Sequence, residues 1–264
     1  NIHSDVRTIM GPGIHHYFQE PSLVDGELVW RDGVAESLDT DILRPASDPF
    51  DREGGLRLVQ GDLGRAVIKV SAVKPENRVV EAPAAVFETQ EEALQAFKDG
   101  QLDRDVVVIL RFQGPKANGM PELHSLSPAL GVLQDKGFKV AFVTDGRMSG
   151  ASGKTPAAIH VSPEALAGGM LGRIRDGDLI RLDPEAGVLS TVGVDLSTRP
   201  AATRSPEHAG GSAWGYGREL FGAFRHVVST AEEGASVCFT GPPVATAWSD
   251  SPPDPNIVDR AVDA

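Results

Sequence analysis

The stretch Phe138–Ser162, FKVAFVTDGRMSGASGKTPAAIHVS, restricts the possible folds more than any other part of the chain. Val140–Val143 is a short apolar run, which predicts a buried strand. It ends at Thr144-Asp145-Gly146 and opens into a loop carrying Gly146, Gly150 and Gly153 beside Ser149, Ser152, Arg147 and Lys154. A second apolar run, Ala157–Val161, follows. Small and hydroxyl-bearing residues directly after a buried strand let the backbone approach a ligand closely.

The other elements are read as support for this loop. Leu56–Gln60 and Ala66–Val73 alternate or run apolar with β-branched residues and predict strands, with further extended pieces at Val79-Val80 and Ala84–Phe87. A helix follows: Thr89 is its N-cap and Glu92 completes a capping box. Ala93, Leu94 and Phe97 form its apolar stripe, and Gly100 stops it. Val106–Leu110 predicts a β-branched buried strand, left through the Gly/Pro loop Arg111–Lys116. Pro121–Leu133 is weakly amphipathic and compatible with a helix. Ser162-Pro163-Glu164 predicts a short helix with Pro at its first position, ended by Gly168-Gly169. Asp178–Leu182 and Val188–Val194 predict a strand pair around a turn at Pro184–Gly187. Residues 197–217 read as a long loop. Gly217–Ala231 reads as a last helix with Leu220, Phe221, Phe224, Val227 and Val228 on one face, and Ser236–Phe239 as an edge strand.

Strands and helices mix without strict βαβ alternation. The expected fold class is therefore mixed α/β: a β-rich, barrel-like swivelling β/β/α domain with packed helices, rather than a doubly wound sheet. Residues 54–240 hold it. Residues 1–53 carry turn signals and few long apolar runs, and are not expected to form a self-sufficient domain; RPASDPFDREGG, 44–55, reads as a linker. Residues 241–264, with Pro242-Pro243 and Ser251-Pro252-Pro253-Asp254-Pro255, are expected to be poorly ordered.

The bulk numbers exclude some function classes. A net charge of −12 argues against non-specific nucleic-acid binding. No run reaches the roughly 18 apolar residues of a membrane helix. Asn1–Asp5 shows no basic-then-apolar leader, so no signal peptide is expected at this start. The chain opens without Met and reads as processed or as a piece of something longer. Its single cysteine, Cys238, forbids an intrachain disulfide and cannot alone hold an iron–sulfur cluster or a structural zinc; a small buried hydrophobe is the expected role.

Several motifs are weaker than they look. Gly153-Lys154-Thr155 suggests a phosphate-cradling loop, but the position that such a loop gives to its first glycine is Met148. Ser149 has Arg147 and Ala151 where a hydrolase elbow needs glycines. His15-His16 are adjacent, point apart on any regular element and suit the surface better than a shared metal. Gly131 reads as a packing glycine. Glu122 reads either as a solvated carboxylate near a helix start or as a ligand to a hard cation.

VTDGRMSGASGK with PAAIHVSPEA, RFQGPKANGMPELHSLSPALGVL and GRELFGAFRHVVSTAEEGAS together resemble the C-terminal part of the dihydroxy-acid dehydratase/6-phosphogluconate dehydratase family. Gly61–Val67 and Glu81–Thr89 are similar too, so the likeness reaches almost to Phe239. SGASGK at 149–154, PELH at 121–124 and GRELF at 217–221 resemble the 6-phosphogluconate branch; the tail matches nothing.

The resemblance implies a hydro-lyase that dehydrates 6-phospho-D-gluconate in the Entner–Doudoroff route, with a dihydroxy-acid or other sugar-acid dehydratase as the alternative. It implies Ser149 as proton acceptor at C2 and Glu122 as a Mg²⁺ ligand. Beside them, Lys154, Arg147 and Ser152 are the residues read as binding substrate phosphate or carboxylate. It also implies an iron–sulfur cluster, 4Fe-4S by expectation, whose ligands sit in an N-terminal domain. The present chain then reads as the tail of that absent domain plus the C-terminal domain, a cytoplasmic homodimer when full length and inactive alone. A standalone domain that binds a sugar acid or a partner protein without chemistry is the reading from another class.

Overall fold

The computed structural model describes residues 3–52, 54–149 and 153–238. The chain divides into two compact units, residues 1–54 and 55–264. The first holds a short antiparallel ribbon, β1 (Arg7–Thr8) with β2 (Gly11–Pro12), and a hairpin, β3 (Gln19–Val24) with β4 (Glu27–Asp32). Asp25 and Gly26, both with positive φ, turn the hairpin. None of the described residues 3–52 is buried.

The second unit is built on β5 (Leu56–Gly61), β6 (Gly64–Lys69), β7 (Val80–Phe87), β8 (Val106–Leu110), β9 (Val140–Thr144), β10 (Ala157–Ser162), β11 (Leu179–Asp183) and β12 (Val188–Thr191). They close a barrel in the order β10-β6-β5-β12-β11-β7-β8-β9. The helices are α1 (Pro75–Arg78), α2 (Gln90–Lys98), α3 (Leu126–Asp135), α4 (Pro206–Ala213) and α5 (Gly222–Val227).

Strand alternation divides the core in two. Val107 and Ile109 of β8 and Ala141 and Val143 of β9 join Ala84, Ile180 and Leu182 in the cluster that fills the barrel. Val106, Val108, Leu110, Val140 and Phe142 face outward and meet Ala93 and Ala96 of α2 and Leu126, Leu130 and Leu133 of α3. Covered on both faces, β8 and β9 are apolar without alternation, which is why they stand out as plain runs. Thr89 caps α2 as expected: the Glu92 N–H donates to Thr89 Oγ1 at 3.2 Å, and the Thr89 N–H to Glu92 Oε2 at 3.1 Å.

Parallel pairing places the site. β7, β8, β9 and β10 are parallel neighbours, so their C-terminal ends open on one edge of the barrel. Glu88, Arg111–Gln113, Asp145–Ser149 and Pro163–Ala165 all leave from that edge, where open α/β sheets also collect their ligands.

Several expectations need correction. The segment 197–217 is not all loop: Ser205 caps α4 by accepting the His208 N–H at 3.3 Å, with Pro206 at the first position. Gly217–Ala231 is not one helix but a 3₁₀ turn, Arg218–Phe221, followed by α5, and of its apolar face only Val228 is buried. After Ser162 there is only a 3₁₀ turn, Ala165–Ala167, with Pro163 outside it and Gly168 in left-handed conformation at its end. Residues 236–238 form no strand, and Phe239 lies outside the described residues. Val79-Val80 and Ala84–Phe87 belong to one segment, with Val80–Phe87 a single strand. Cys238 is exposed rather than buried. The tail 241–264 also lies outside the described residues.

Candidate active site

One buried carboxylate organises the site edge. Asp145, fully buried at the end of β9, accepts the backbone N–H of Gln113 at 2.8 Å, of Phe112 at 3.2 Å and of Ala165 at 2.9 Å. It thereby ties together the segments leaving β8, β9 and β10. Burial pushes its carboxyl above the usual range against the pull of those N–H donors. Thr144 Oγ1 accepts the Gly146 N–H at 2.9 Å and tightens the turn. Gly146 is required there: a Cβ would stand 2.6 Å from Gln113 Cβ and 3.0 Å from Leu123 Cδ1. Glu164 accepts the Lys116 N–H at 3.0 and 3.1 Å, and burial together with the Asp145 charge pushes its carboxyl up to about 7.

On this frame the chain around Glu122 lies parallel to the chain around Arg147. The Leu123 N–H donates to the Arg147 carbonyl at 3.1 Å, and Arg147 Nε to the Met120 carbonyl at 2.6 Å. Glu122 Oε1 accepts the Ser149 N–H at 2.5 Å, and Glu122 Oε2 lies 3.5 Å from an Arg147 terminal nitrogen. Glu122, Arg147 and Ser149 are thus one cluster. Phe112, Met120 and His160, near this edge, have φ of 62°, 53° and 58°. Each costs about 1–3 kcal/mol, and such strain gathers where function needs a fixed shape.

Ser149 also lines a small cavity of about 20 Å³ with Lys69, Met148 and Thr155, the size of a single water site. Thr155 Oγ1 is buried without a hydrogen-bond partner among the described residues. Lys154 goes elsewhere. Its Nζ meets both Asp135 oxygens at 2.6 and 2.7 Å, and its stem crosses Gly131, where a Cβ would stand 3.0 Å from Lys154 Cε. Gly131 therefore makes room for that side chain. Ser152 lies outside the described residues.

A family profile described as dihydroxy-acid/6-phosphogluconate dehydratase C-terminal matches residues 41–235. The chain belongs to this family. A phosphogluconate dehydratase of Pseudomonas aeruginosa is 59% identical over 234 residues, 89% of this chain and 38% of that protein. One from Escherichia coli K12 is 53% identical over 239 residues, 90% of this chain and 39% of that protein. A dihydroxy-acid dehydratase of Moorella thermoacetica is more distant, 40% identical over 190 residues, 67% of this chain and 34% of that protein. The chain spans about two fifths of the length of the curated relatives it matches.

The dehydratase family implies an iron–sulfur cluster, and the residues described here do not fit one. Cys238 is the chain's single cysteine and is exposed, and no three His, Cys, Asp or Glu side chains group as a metal site among the described residues. Mg²⁺ fares little better. Glu122 offers one carboxylate, already shared between the Ser149 N–H and Arg147, where a hard cation collects about six oxygens.

This member of the family has site residues that sequence reasoning missed. His160 interrupts an otherwise apolar strand, at a register shift in the pairing of β10 with β6. Its N–H donates to the Gly146 carbonyl at 2.9 Å, and burial with the Arg147 charge lowers its pKa, so the imidazole is neutral at pH 7. The signal was present: one titratable side chain inside Ala157–Val161. Lys69 closes β6 and reaches Ser149's cavity only because β6 pairs with β10, which no local pattern announces. Glu88, at the end of β7, accepts the Ser205 N–H at 3.0 Å and faces His208 Nδ1 at 3.2 Å and Arg111 at 3.9 Å. Burial raises its pKa, but these partners together bring it below the usual value.

Proposed function

We propose that this chain is the C-terminal part of a hydro-lyase that converts 6-phospho-D-gluconate into 2-dehydro-3-deoxy-6-phospho-D-gluconate. Cluster ligands would come from an N-terminal domain of the same polypeptide, and the assembly would be a cytoplasmic homodimer. The observation that supports this most is the Ser149–Glu122–Arg147 cluster. It lies inside the region matched by the dehydratase family.

In the proposed reaction the C2–H bond breaks and Ser149 Oγ takes the proton. The freed electron pair forms the C2=C3 bond as the C3–O bond breaks. The departing hydroxide takes up the proton that Ser149 Oγ gained, which restores the alkoxide, and leaves as water, and the enol tautomerises to the 2-keto acid. A serine accepts a proton only as an alkoxide, which needs positive charge close by. Lys69 in the shared cavity and Arg147 in the same loop supply it from this chain. Glu122 holds the loop by its bond to the Ser149 N–H, so its first role is positioning.

In the full-length polypeptide, Ser149→Ala is expected to lower 2-keto acid formation by about 10²–10⁴-fold. It should equally suppress exchange of the substrate C2 proton with deuterated solvent. Exchange that persists at the wild-type rate would remove Ser149 as the base.

A further inference from the structure

Of the three left-handed residues near the site edge, two are buried and one is not. Phe112 and Met120 have φ of 62° and 53°, and both sit in the hydrophobic core, where packing offsets the strain. His160 has φ of 58° and is only half-buried. Residues with a Cβ rarely adopt this region, whereas glycine enters it at no steric cost. A position that needed only the backbone turn would be served best by glycine. An imidazole stands there instead, outside both hydrophobic clusters.

The strand around it is built to aim that side chain. From Ile159 to Ser162 β10 advances three residues while β6 moves two, from Val67 to Arg65, so β10 carries one extra residue. Ala158 and Val161 both join the cluster that fills the barrel, and Ile159 packs on the outer one. Unbroken alternation would set Ala158 with His160 and Ile159 with Val161. The extra residue turns Val161 into the barrel and takes His160 out of the alternation. Its peptide is held on both sides: the N–H donates to the Gly146 carbonyl at 2.9 Å, and the His160 carbonyl accepts from Ser162 Oγ at 3.2 Å. The imidazole is thus carried on a fixed backbone tied to the loop of Arg147 and Ser149. Among the described residues its ring makes no hydrogen bond. Burial first, and then the Arg147 charge, keep it neutral, so it offers one N–H donor and one nitrogen acceptor.

We infer that His160 is a substrate-contacting residue of this site, its imidazole bonding a hydroxyl group of the sugar acid whose C2 proton goes to Ser149. A hydroxyl both donates and accepts, as a neutral imidazole does, whereas the anionic ends of such an acid are better met by cations. The sugar acid is that of the function proposed above; the extra residue in β10, the backbone ties and the unbonded ring stand apart from it.

The test is calorimetric titration of the full-length polypeptide carrying Ser149→Ala, which removes turnover. The ligands are 6-phosphogluconate and 6-phosphohexanoate, which keeps the carboxylate and the phosphate and has no hydroxyl. His160→Gly, free of strain at this φ, is expected to weaken 6-phosphogluconate about tenfold and to narrow its advantage over 6-phosphohexanoate by the same factor. The urea midpoint should be no lower than that of the parent, because glycine relieves the left-handed backbone. His160→Asn, which also tolerates this φ and can donate and accept, should lose less. Undiminished affinity in His160→Gly, an equal loss for both ligands, a loss accompanied by a lower urea midpoint, a larger loss in His160→Asn than in His160→Gly, or no binding of 6-phosphogluconate to the parent would each overturn the inference. If binding depends on His160 while the polypeptide with Ser149 intact shows no dehydration, the contact stands and the proposed reaction falls. If dehydration proceeds with an unchanged KM in His160→Gly, the reaction stands and the contact falls.

Discussion

Glu164 shows how much a single side chain can couple this site to pH. The residue is 7% exposed, and its carboxyl is pushed up to about 7 from the ordinary value of 4.5. The folded state therefore holds a proton that the unfolded chain releases between these values. Stability from this group is complete below pH 4.5 and is lost as pH rises through 7. A shift of that size corresponds to about 3 kcal/mol. Glu164→Gln keeps an acceptor for the Lys116 N–H and removes the titration. The expected outcome is a urea midpoint that no longer falls between pH 5 and 7.5, and an unchanged slope relative to the wild type would show that another group carries it. None of this was legible beforehand. Glu164 looked like a first-turn helix residue, and only folding brings it against Asp145 and the Lys116 N–H.

Helix α2 and the 205–228 region show where local pattern suffices and where it does not. In α2 the cap, the stripe and the stop are all written within a dozen residues, and Thr89→Ala should cost about 1 kcal/mol in chemical denaturation. A much smaller loss would mean that tertiary packing alone holds the helix start. α4 has Gly, Ser and Ala along its length and no apolar stripe, so periodicity is silent and only Ser205-Pro206 marks the start. The 217–231 segment has the stripe but not the helix. Gly217, with φ of 78°, opens a 3₁₀ turn, and Leu220, Phe221, Phe224 and Val227 remain exposed. An apolar face predicts where a helix is buried only if another surface covers it.

For the whole molecule, the proposed chemistry calls for a cluster that the described residues do not offer. Its one cysteine is exposed and its described residues offer no metal cluster. The 264-residue chain, incubated with iron and sulfide under reducing conditions, is therefore expected to show no water elimination from 6-phosphogluconate. Turnover by the chain alone would refute the division of the site between two domains.

The sequence by itself determined the elements whose burial is uniform or whose caps are local: β8, β9, the β11–β12 hairpin, α2, and the glycine-rich loop after β9. The resemblance carried by its motifs named Ser149 and Glu122, and the composition of the loop offered Arg147. Tertiary structure decided what those residues touch. The barrel closes through β9–β10 and through a β5–β12 pairing with one register pair, Val188 with Gln60, contacts too distant in sequence for any period to reveal. That closure brings Lys69 to Ser149's cavity and His160 to the Gly146 carbonyl. In the same way Lys154, read from the loop as a phosphate ligand, lies along Gly131 on Asp135, because a long side chain follows the nearest opposite charge in space rather than its neighbours in sequence.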